Sequence, residues 1–115
     1  MTVDALTADG VFLGGMIVPG ADLMRAALAR GTAGLRPRGG RFAFFPARTA
    51  DAIESGAINA LAGAVERMLR FMEEAGQAEP LTLVSSPVLL ASLRPALGSR
   101  RTSHITISVD QRKEL

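Results

Sequence analysis

The sequence predicts an α/β fold, with a mixed sheet and flanking helices, from three patterns along its 115 residues. Two β-prone runs, residues 2–5 and 11–18, lie on either side of Asp9-Gly10, a dipeptide that supplies the positive φ of a hairpin turn. Apolar residues then recur at helical spacing over residues 21–30 and 49–76. Short β-branched runs at 81–84 and 104–109 predict two further strands, with a helix over 88–97 between them.

The predicted hairpin carries two adjacent glycines inside its second strand. Gly14 and Gly15 interrupt the run 11–18. Glycine within a strand indicates a bulge or a place where another group approaches the backbone closely. Because Pro19-Gly20 follows, we expect an irregular strand that ends there and leads into the first helix.

The segment after the first helix is predicted to be a loop. The helix should end at Gly31, since glycine is favoured just after a helix C-terminus. Residues 32–48 are rich in glycine and proline, which is typical of loops. Phe42, Phe44 and Phe45 are expected to be the apolar anchors that hold this loop down.

The second helix has the clearest pattern in the chain. Thr49 is expected to be its N-cap, with Asp51 in the first turn, where a carboxylate meets the positive end of the helix dipole. Its apolar residues keep a helical period until Gly76, namely Ile53, Ala57, Ile58, Leu61, Val65, Met68, Leu69 and Met72.

This second helix is also rich in small residues. They are Gly56, Ala57, Ala60, Ala62, Gly63 and Ala64. A narrow side-chain profile permits close packing against another helix or a second copy of the chain. Packing of the same residues against the chain's own sheet is an equally good interpretation, and the sequence leaves both open.

Composition excludes several classes of function. The chain is 48% hydrophobic, has a mean hydropathy of +0.24 and carries 13 Lys and Arg against 11 Asp and Glu. These values predict one folded domain over residues 1–115. The sequence contains no cysteine, which excludes disulfides, thiolate metal sites and a cysteine nucleophile.

Nucleic-acid, membrane and metal sites are not predicted. Arg36, Arg38 and Arg41 lie in the loop without interleaved aromatic residues, so we expect no nucleic-acid partner. No apolar run approaches the ~20 residues that span a bilayer, and the N-terminus lacks a signal-peptide pattern. We therefore expect a cytoplasmic protein without a membrane partner. His104 is the one histidine, which argues against a metal site or a catalytic triad.

Several short motifs follow one another in a specific order and spacing over roughly residues 2–75. They are Thr2-Val3-Asp4, then Phe12-Leu13-Gly14-Gly15-Met16-Ile17-Val18-Pro19-Gly20, then Leu23-Met24 with Ala27-Leu28, and finally Arg48-Thr49-Ala50-Asp51-Ala52-Ile53 with Gly56. This series resembles the C-terminal half of type III pantothenate kinases.

This resemblance implies a fold, a reaction and a set of ligands. The fold is a ribonuclease H-like, actin-like ATPase domain, incomplete in this chain. The reaction is the transfer of the γ-phosphoryl group of ATP to pantothenate, the first step of coenzyme A biosynthesis. The implied cofactors are ATP, Mg and a monovalent cation, either potassium or ammonium, and the implied assembly is a homodimer.

The resemblance assigns one site residue, Thr49, as a contact to pantothenate. A hydroxyl beside the free N–H groups of a helix N-terminus suits an anion such as the pantothenate carboxylate. A simple helix cap is the alternative, and the two roles can coexist. The family's catalytic base, phosphate-cradling segment and cation ligand lie in motifs that these residues do not contain. No catalytic or metal-binding residue is therefore assigned, and we expect the chain by itself to be inactive.

Residues 80–115 diverge from the family pattern. The resemblance calls for a pair of glycines near adenosine, where this chain has Ser85-Ser86-Pro87. A truncated gene product, with a shifted reading frame after about residue 80, is the hypothesis that this pattern suggests. Two functions remain open. One is the C-terminal portion of a pantothenate kinase, and the other is a non-catalytic dimerisation or regulatory module derived from that family.

Overall fold

Four strands and two helices form the described part of the chain. A computed structural model describes residues 1–31, 39–77, 81–84 and 105–107. In chain order the elements are β1 (Thr2–Leu6), β2 (Phe12–Ile17), α1 (Ala21–Gly31), α2 (Thr49–Glu74), β3 (Leu81–Val84) and β4 (Ile105–Ile107). The predicted helix at 88–97, the loop residues 32–38 and the ends of the last predicted strand lie outside the described residues.

The strands form a single mixed sheet in the order β2-β1-β3-β4. β1 pairs antiparallel with both β2 and β3, and β3 pairs parallel with β4. A mixed sheet with helices is a partial α/β domain, so the predicted fold class is confirmed at that level.

The hairpin has the tight turn and the bulge that its glycines predict. Gly10 has a φ of 86°, and its N–H donates to the Thr7 carbonyl at 2.9 Å. The pairing register shifts between Ala5 and Leu6, opposite the part of β2 where Gly14 has a φ of 147°. This is a bulge at a backbone angle that favours glycine.

Gly15 supplies the close approach that the sequence also predicts. It pairs with Asp4 across the two strands. A Cβ at Gly15 would fall within contact distance of the Asp4 carboxylate and 3.1 Å from the Val3 carbonyl oxygen. Only glycine fits here without a shift of its neighbours.

The hydrophobic core lies between one face of the sheet and one face of α2. Val3 and Ala5 point to the same side of β1, because alternate strand residues share a face. Both belong to one buried cluster with residues of the long helix, namely Ile58, Leu61, Ala62, Val65, Met68, Leu69 and Met72. Each large side chain buried in this way contributes about 1.5–3 kcal/mol to folding.

The small residues of α2 divide between its two faces. Ala62 belongs to the buried cluster that α2 shares with β1, and Ala57 is buried outside that cluster. Packing against the sheet therefore applies to Ala62. Gly56, Ala60 and Gly63 are exposed.

Of the three phenylalanines expected to hold the loop down, one packs against the core and two do not. Phe42 packs against the core cluster, whereas the prediction is wrong for Phe44 and Phe45, which are 79% and 94% exposed. The chain bends at both positions and turns these rings outward, and Phe44 keeps only an edge contact with Phe42 at a ring-centroid distance of 5.9 Å.

Neither described helix is long and apolar enough to cross a membrane.

Candidate binding groove between the two helices

An apolar groove of about 620 Å³ runs between α1 and the first two turns of α2. We call it the α1/α2 groove. Its lining residues come from both helices and are Met24, Ala27, Leu28, Thr49, Ala52, Ile53, Gly56 and Ala57. The groove therefore joins the helix that follows Pro19-Gly20 to the helix that Thr49 begins. The two strongest motifs of the sequence meet at one site.

Thr49 lies at the end of this groove, as the first residue of α2. The expected N-cap role is wrong, because Arg48 occupies the N-cap position with φ −109° and ψ 145°, and no side chain caps the helix. The helix begins one residue earlier than a Thr49 cap requires, because a cap at Thr49 would make Ala50 the first helical residue. As a result, the Thr49 hydroxyl is on the exposed first turn and does not satisfy a backbone donor of its own helix.

The N-terminus of α2 offers several free donors around that hydroxyl. The first helical hydrogen bond runs from the Ala52 N–H to the Arg48 carbonyl oxygen at 2.8 Å, so the preceding N–H groups have no acceptor within the helix. The Arg48 side chain is 78% exposed, and its guanidinium lies 4.0 Å from Asp51, at the outer limit of an ion pair. A hydroxyl, backbone N–H groups and a cation at a positive helix end together suit an anionic or polar ligand.

The loop before α2 is fastened to the helix by two side-chain acceptors. The Asp51 carboxylate accepts the backbone N–H of Arg41 at 2.9 Å, and the Ser55 hydroxyl accepts that of Ala43 at 3.0 Å. Asp51 and Ser55 are one turn apart and lie on the same side of α2. These two hydrogen bonds fix the position of the loop where it leads into α2.

Gly40 makes the closest backbone approach in the same region. A Cβ there would clash with the carbonyl group of Ala50, with 2.7 Å to its carbon, and would lie 3.1 Å from the Cβ of Glu54. The absence of a side chain at Gly40 lets the loop lie directly on the first turn of α2.

An ion-pair cluster joins the two helices beside the groove. Arg25 of α1 donates two hydrogen bonds to Glu54 of α2, from Nε at 2.7 Å and from Nη2 at 2.8 Å. Its Nη1 donates to Asp22 at 2.7 Å. The hydrogen bonds from Arg25 to Glu54 raise the pKa of Arg25 above its usual value. Since the three guanidinium nitrogens are each engaged, Arg25 acts within the protein and not on a ligand.

The sequence alone did not single out Arg25, Glu54 or Ser55. Arg25 and Glu54 are 29 residues apart, and no local pattern connects them. Ser55 lies between apolar positions of α2, and only the structure shows that it is buried, with 2% exposure.

The described residues show no metal centre. Within ranges 1–31 and 39–77 and the two short strands, no three of the His, Cys, Asp and Glu residues come together in a way that could hold a metal ion.

The family to which the chain belongs is shown by comparison with known proteins. The sequence model of the family described as type III pantothenate kinase matches residues 1–71, which include the hairpin, α1 and most of α2. The chain belongs to the type III pantothenate kinase family. The matched residues contain the whole lining of the α1/α2 groove.

Individual relatives carry the same name. A type III pantothenate kinase of Methylibium petroleiphilum is 51% identical over 85 residues, which cover 74% of this chain and 34% of that protein. One from Chromobacterium violaceum is 46% identical over 100 residues, 86% of this chain and 42% of the relative. One from an Azoarcus strain is 61% identical over 67 residues, 58% and 26% respectively. The chain thus spans well under half the length of these relatives.

Proposed function

We propose that these 115 residues carry the pantothenate-contacting part of a type III pantothenate kinase. In that role the α1/α2 groove binds pantothenate, and Thr49 donates or accepts a hydrogen bond at the polar end of the groove. The Arg48 guanidinium and the free N–H groups of α2 attract the carboxylate of the ligand. The apolar lining accommodates the remainder of the molecule.

The observation that carries this proposal is the uncapped N-terminus of α2. A threonine whose only task was to cap the helix would sit at the N-cap and bond to a backbone N–H. Here Thr49 occupies the next position, lines the groove and makes no cap bond. Its hydroxyl is therefore available to a ligand in a chain whose family acts on pantothenate.

Titration calorimetry on the full chain tests binding directly. We expect pantothenate to bind, and panthenol, in which an alcohol replaces the carboxylate, to bind about tenfold more weakly because it loses the charge-assisted contacts. A ligand present at 100 times its Kd should also stabilise the fold by about 2.7 kcal/mol. Absence of heat and of any melting shift at millimolar pantothenate would contradict the proposal.

The chemistry of phosphoryl transfer is not assigned to these residues. We propose that the chain adopts part of an actin-like ATPase fold and does not turn over ATP by itself. Mg and the potassium or ammonium ion of the family have no cluster of ligands among the described residues. An assay of pantothenate-dependent ADP formation from ATP should detect no product with the isolated chain in potassium or ammonium buffer, and measurable turnover would overturn this part. The proposed compartment is the cytoplasm.

A non-catalytic dimerisation or regulatory module is the second candidate, and the outer face of α2 favours it. Ala60 and Gly63 are exposed small residues one turn apart on α2, and Phe44 and Phe45 are exposed on the loop before that helix. Such a surface permits close approach of a second copy. Light scattering after size exclusion separates the candidates. A dimer that binds no pantothenate favours the module, and a pantothenate-binding chain favours the first proposal.

A further inference from the structure

The Arg25–Glu54 pair is the strongest polar connection between the two helices that form the groove. The two nitrogen–oxygen distances, 2.7 and 2.8 Å, belong to a two-bond fork between the guanidinium and the carboxylate. The side chains are 33% and 21% exposed, so water reaches the pair only in part. A fork of this kind restricts rotation and separation of its partners more than a single hydrogen bond does.

Apolar packing contributes little to holding α1 in place. Among the described residues, the buried core contains none from α1, and only Ala21 and Met24 pack against its edge. Leu23 and Leu28 are 59% and 47% exposed. The space between the helices is an open groove that side chains do not fill.

Glu54 also connects the pair to the end of the groove that holds Thr49. The two residues are five positions apart on α2, less than two turns of helix. Gly40 of the loop before α2 lies so near Glu54 that an added Cβ at Gly40 would be 3.1 Å from the Cβ of Glu54. Glu54 is therefore close to both α1 and the loop that leads to Thr49.

We infer that Arg25 and Glu54 are positioning residues, which hold α1 against α2 at the spacing that the α1/α2 groove needs to accept pantothenate. This inference rests on the proposed function for the identity of the ligand. The geometric part, that the fork sets the helix spacing, stands on the contacts alone. Neither residue touches the ligand.

The geometric part is tested by distance measurements between spin labels. Because the chain has no cysteine, Ala29→Cys and Ala60→Cys place one label on an exposed position of each helix. We expect a narrow distance distribution in the otherwise unmodified chain and a broad one after Arg25→Met. The exchanged pair Arg25→Glu with Glu54→Arg should restore the narrow distribution. Arg30→Met is the matched control, since it removes an exposed positive charge from the same helix.

The functional part is tested by pantothenate titration of the same variants without labels. Arg25→Met and Glu54→Gln should each weaken binding about tenfold, and the exchanged pair should recover most of the affinity, since residues in direct contact are energetically coupled. Arg30→Met should bind as the unmodified chain does. A purely structural role would lower the melting temperature without changing the affinity of the fraction that remains folded.

The possible failures are distinct. An unchanged distance distribution in Arg25→Met overturns the positioning role, whatever binds in the groove. A broadened distribution with unchanged pantothenate affinity overturns the link between spacing and binding. Lack of pantothenate binding by the unmodified chain overturns the proposed function, while the label distances still decide whether the fork sets the spacing.

Discussion

The buried hydroxyl of Ser55 accepts the backbone N–H of Ala43 at 3.0 Å and so ties the loop before α2 to the second turn of that helix. Ser55 is 2% exposed, and it is the one buried polar side chain among the described residues. A buried N–H without an acceptor costs more than an average hydrogen bond contributes. This contact therefore stabilises the loop that delivers Thr49 to the groove.

Replacement of Ser55 by alanine should destabilise the chain by about 1–2 kcal/mol, because the Ala43 N–H loses its acceptor in a site that water reaches poorly. Chemical unfolding measures the free energy, and amide hydrogen exchange at Ala43 locates the loss. Asn59→Ala is the control, since Asn59 is exposed and its amide donates only to a helix carbonyl. Unchanged protection of the Ala43 amide in the Ser55 variant would contradict the prediction.

Replacement of Gly40 by alanine should destabilise the chain by about 1–3 kcal/mol, the usual range for an overpacked site. The added Cβ meets backbone atoms of Ala50, which cannot rotate away as the end of a side chain can. Gly63→Ala is the matched control, because no atom lies within 4 Å of its added Cβ. That control should gain about 0.5–1 kcal/mol from helix propensity. In thermal melts the melting temperature should fall in Gly40→Ala and rise in Gly63→Ala. Equal melting temperatures for the two variants would contradict the interpretation.

The acid titration of Asp9 should report the hairpin turn. The Thr7 hydroxyl and a backbone N–H donate to the Asp9 carboxylate and hold its pKa below the ordinary value of 3.8. A lowered folded-state pKa means that this contribution to stability is present above about pH 3.8 and is lost as the pH falls through the lower, folded value. Carboxyl-carbon NMR should place the midpoint below 3.8 in the native chain. Thr7→Val should return it toward the ordinary value, and an unchanged midpoint in that variant would show that the hydroxyl is not the cause.

The hairpin and the long helix could be predicted from the sequence because their determinants are local. Asp9-Gly10 specifies the turn, and Gly14 with Gly15 predicts the irregular strand that the structure contains. The apolar period of α2 extends over several turns and ends at Gly76, which has a φ of 80°. Patterns of this kind need no information from distant parts of the chain.

Two predictions were wrong at positions where the outcome depended on the backbone conformation of one or two residues. Residue type favours Thr49 over Arg48 as the N-cap, but the helix begins one position earlier than that choice requires, with Arg48 at the cap. Phe44 and Phe45 have the composition of buried residues, but bends at both positions expose them. Local preference was outweighed by the way the loop is fastened at Ser55 and Gly40.

The contacts that shape the groove could not be read from the sequence. Arg25 and Glu54 are each ordinary charged residues at helical positions, and only the packing of α1 on α2 brings them together and half-buries them. The same holds for Gly40, whose need for a missing Cβ arises from Ala50 and Glu54. Such through-space relationships require the tertiary structure.

Thr49 offers the most direct test of the binding site. Thr49→Val keeps the branched shape and removes the hydroxyl, so we expect pantothenate affinity to fall about tenfold, as for one hydrogen bond to a charged group. The stability of the unliganded chain should change by less than about 0.5 kcal/mol, since the hydroxyl caps no backbone donor. Thr49→Ser retains the hydroxyl and should bind nearly as well as the native residue. Calorimetry gives the affinities and chemical unfolding gives the stabilities. The opposite pattern, a loss of about 1 kcal/mol in stability with unchanged affinity, would identify a capping residue and exclude a ligand contact.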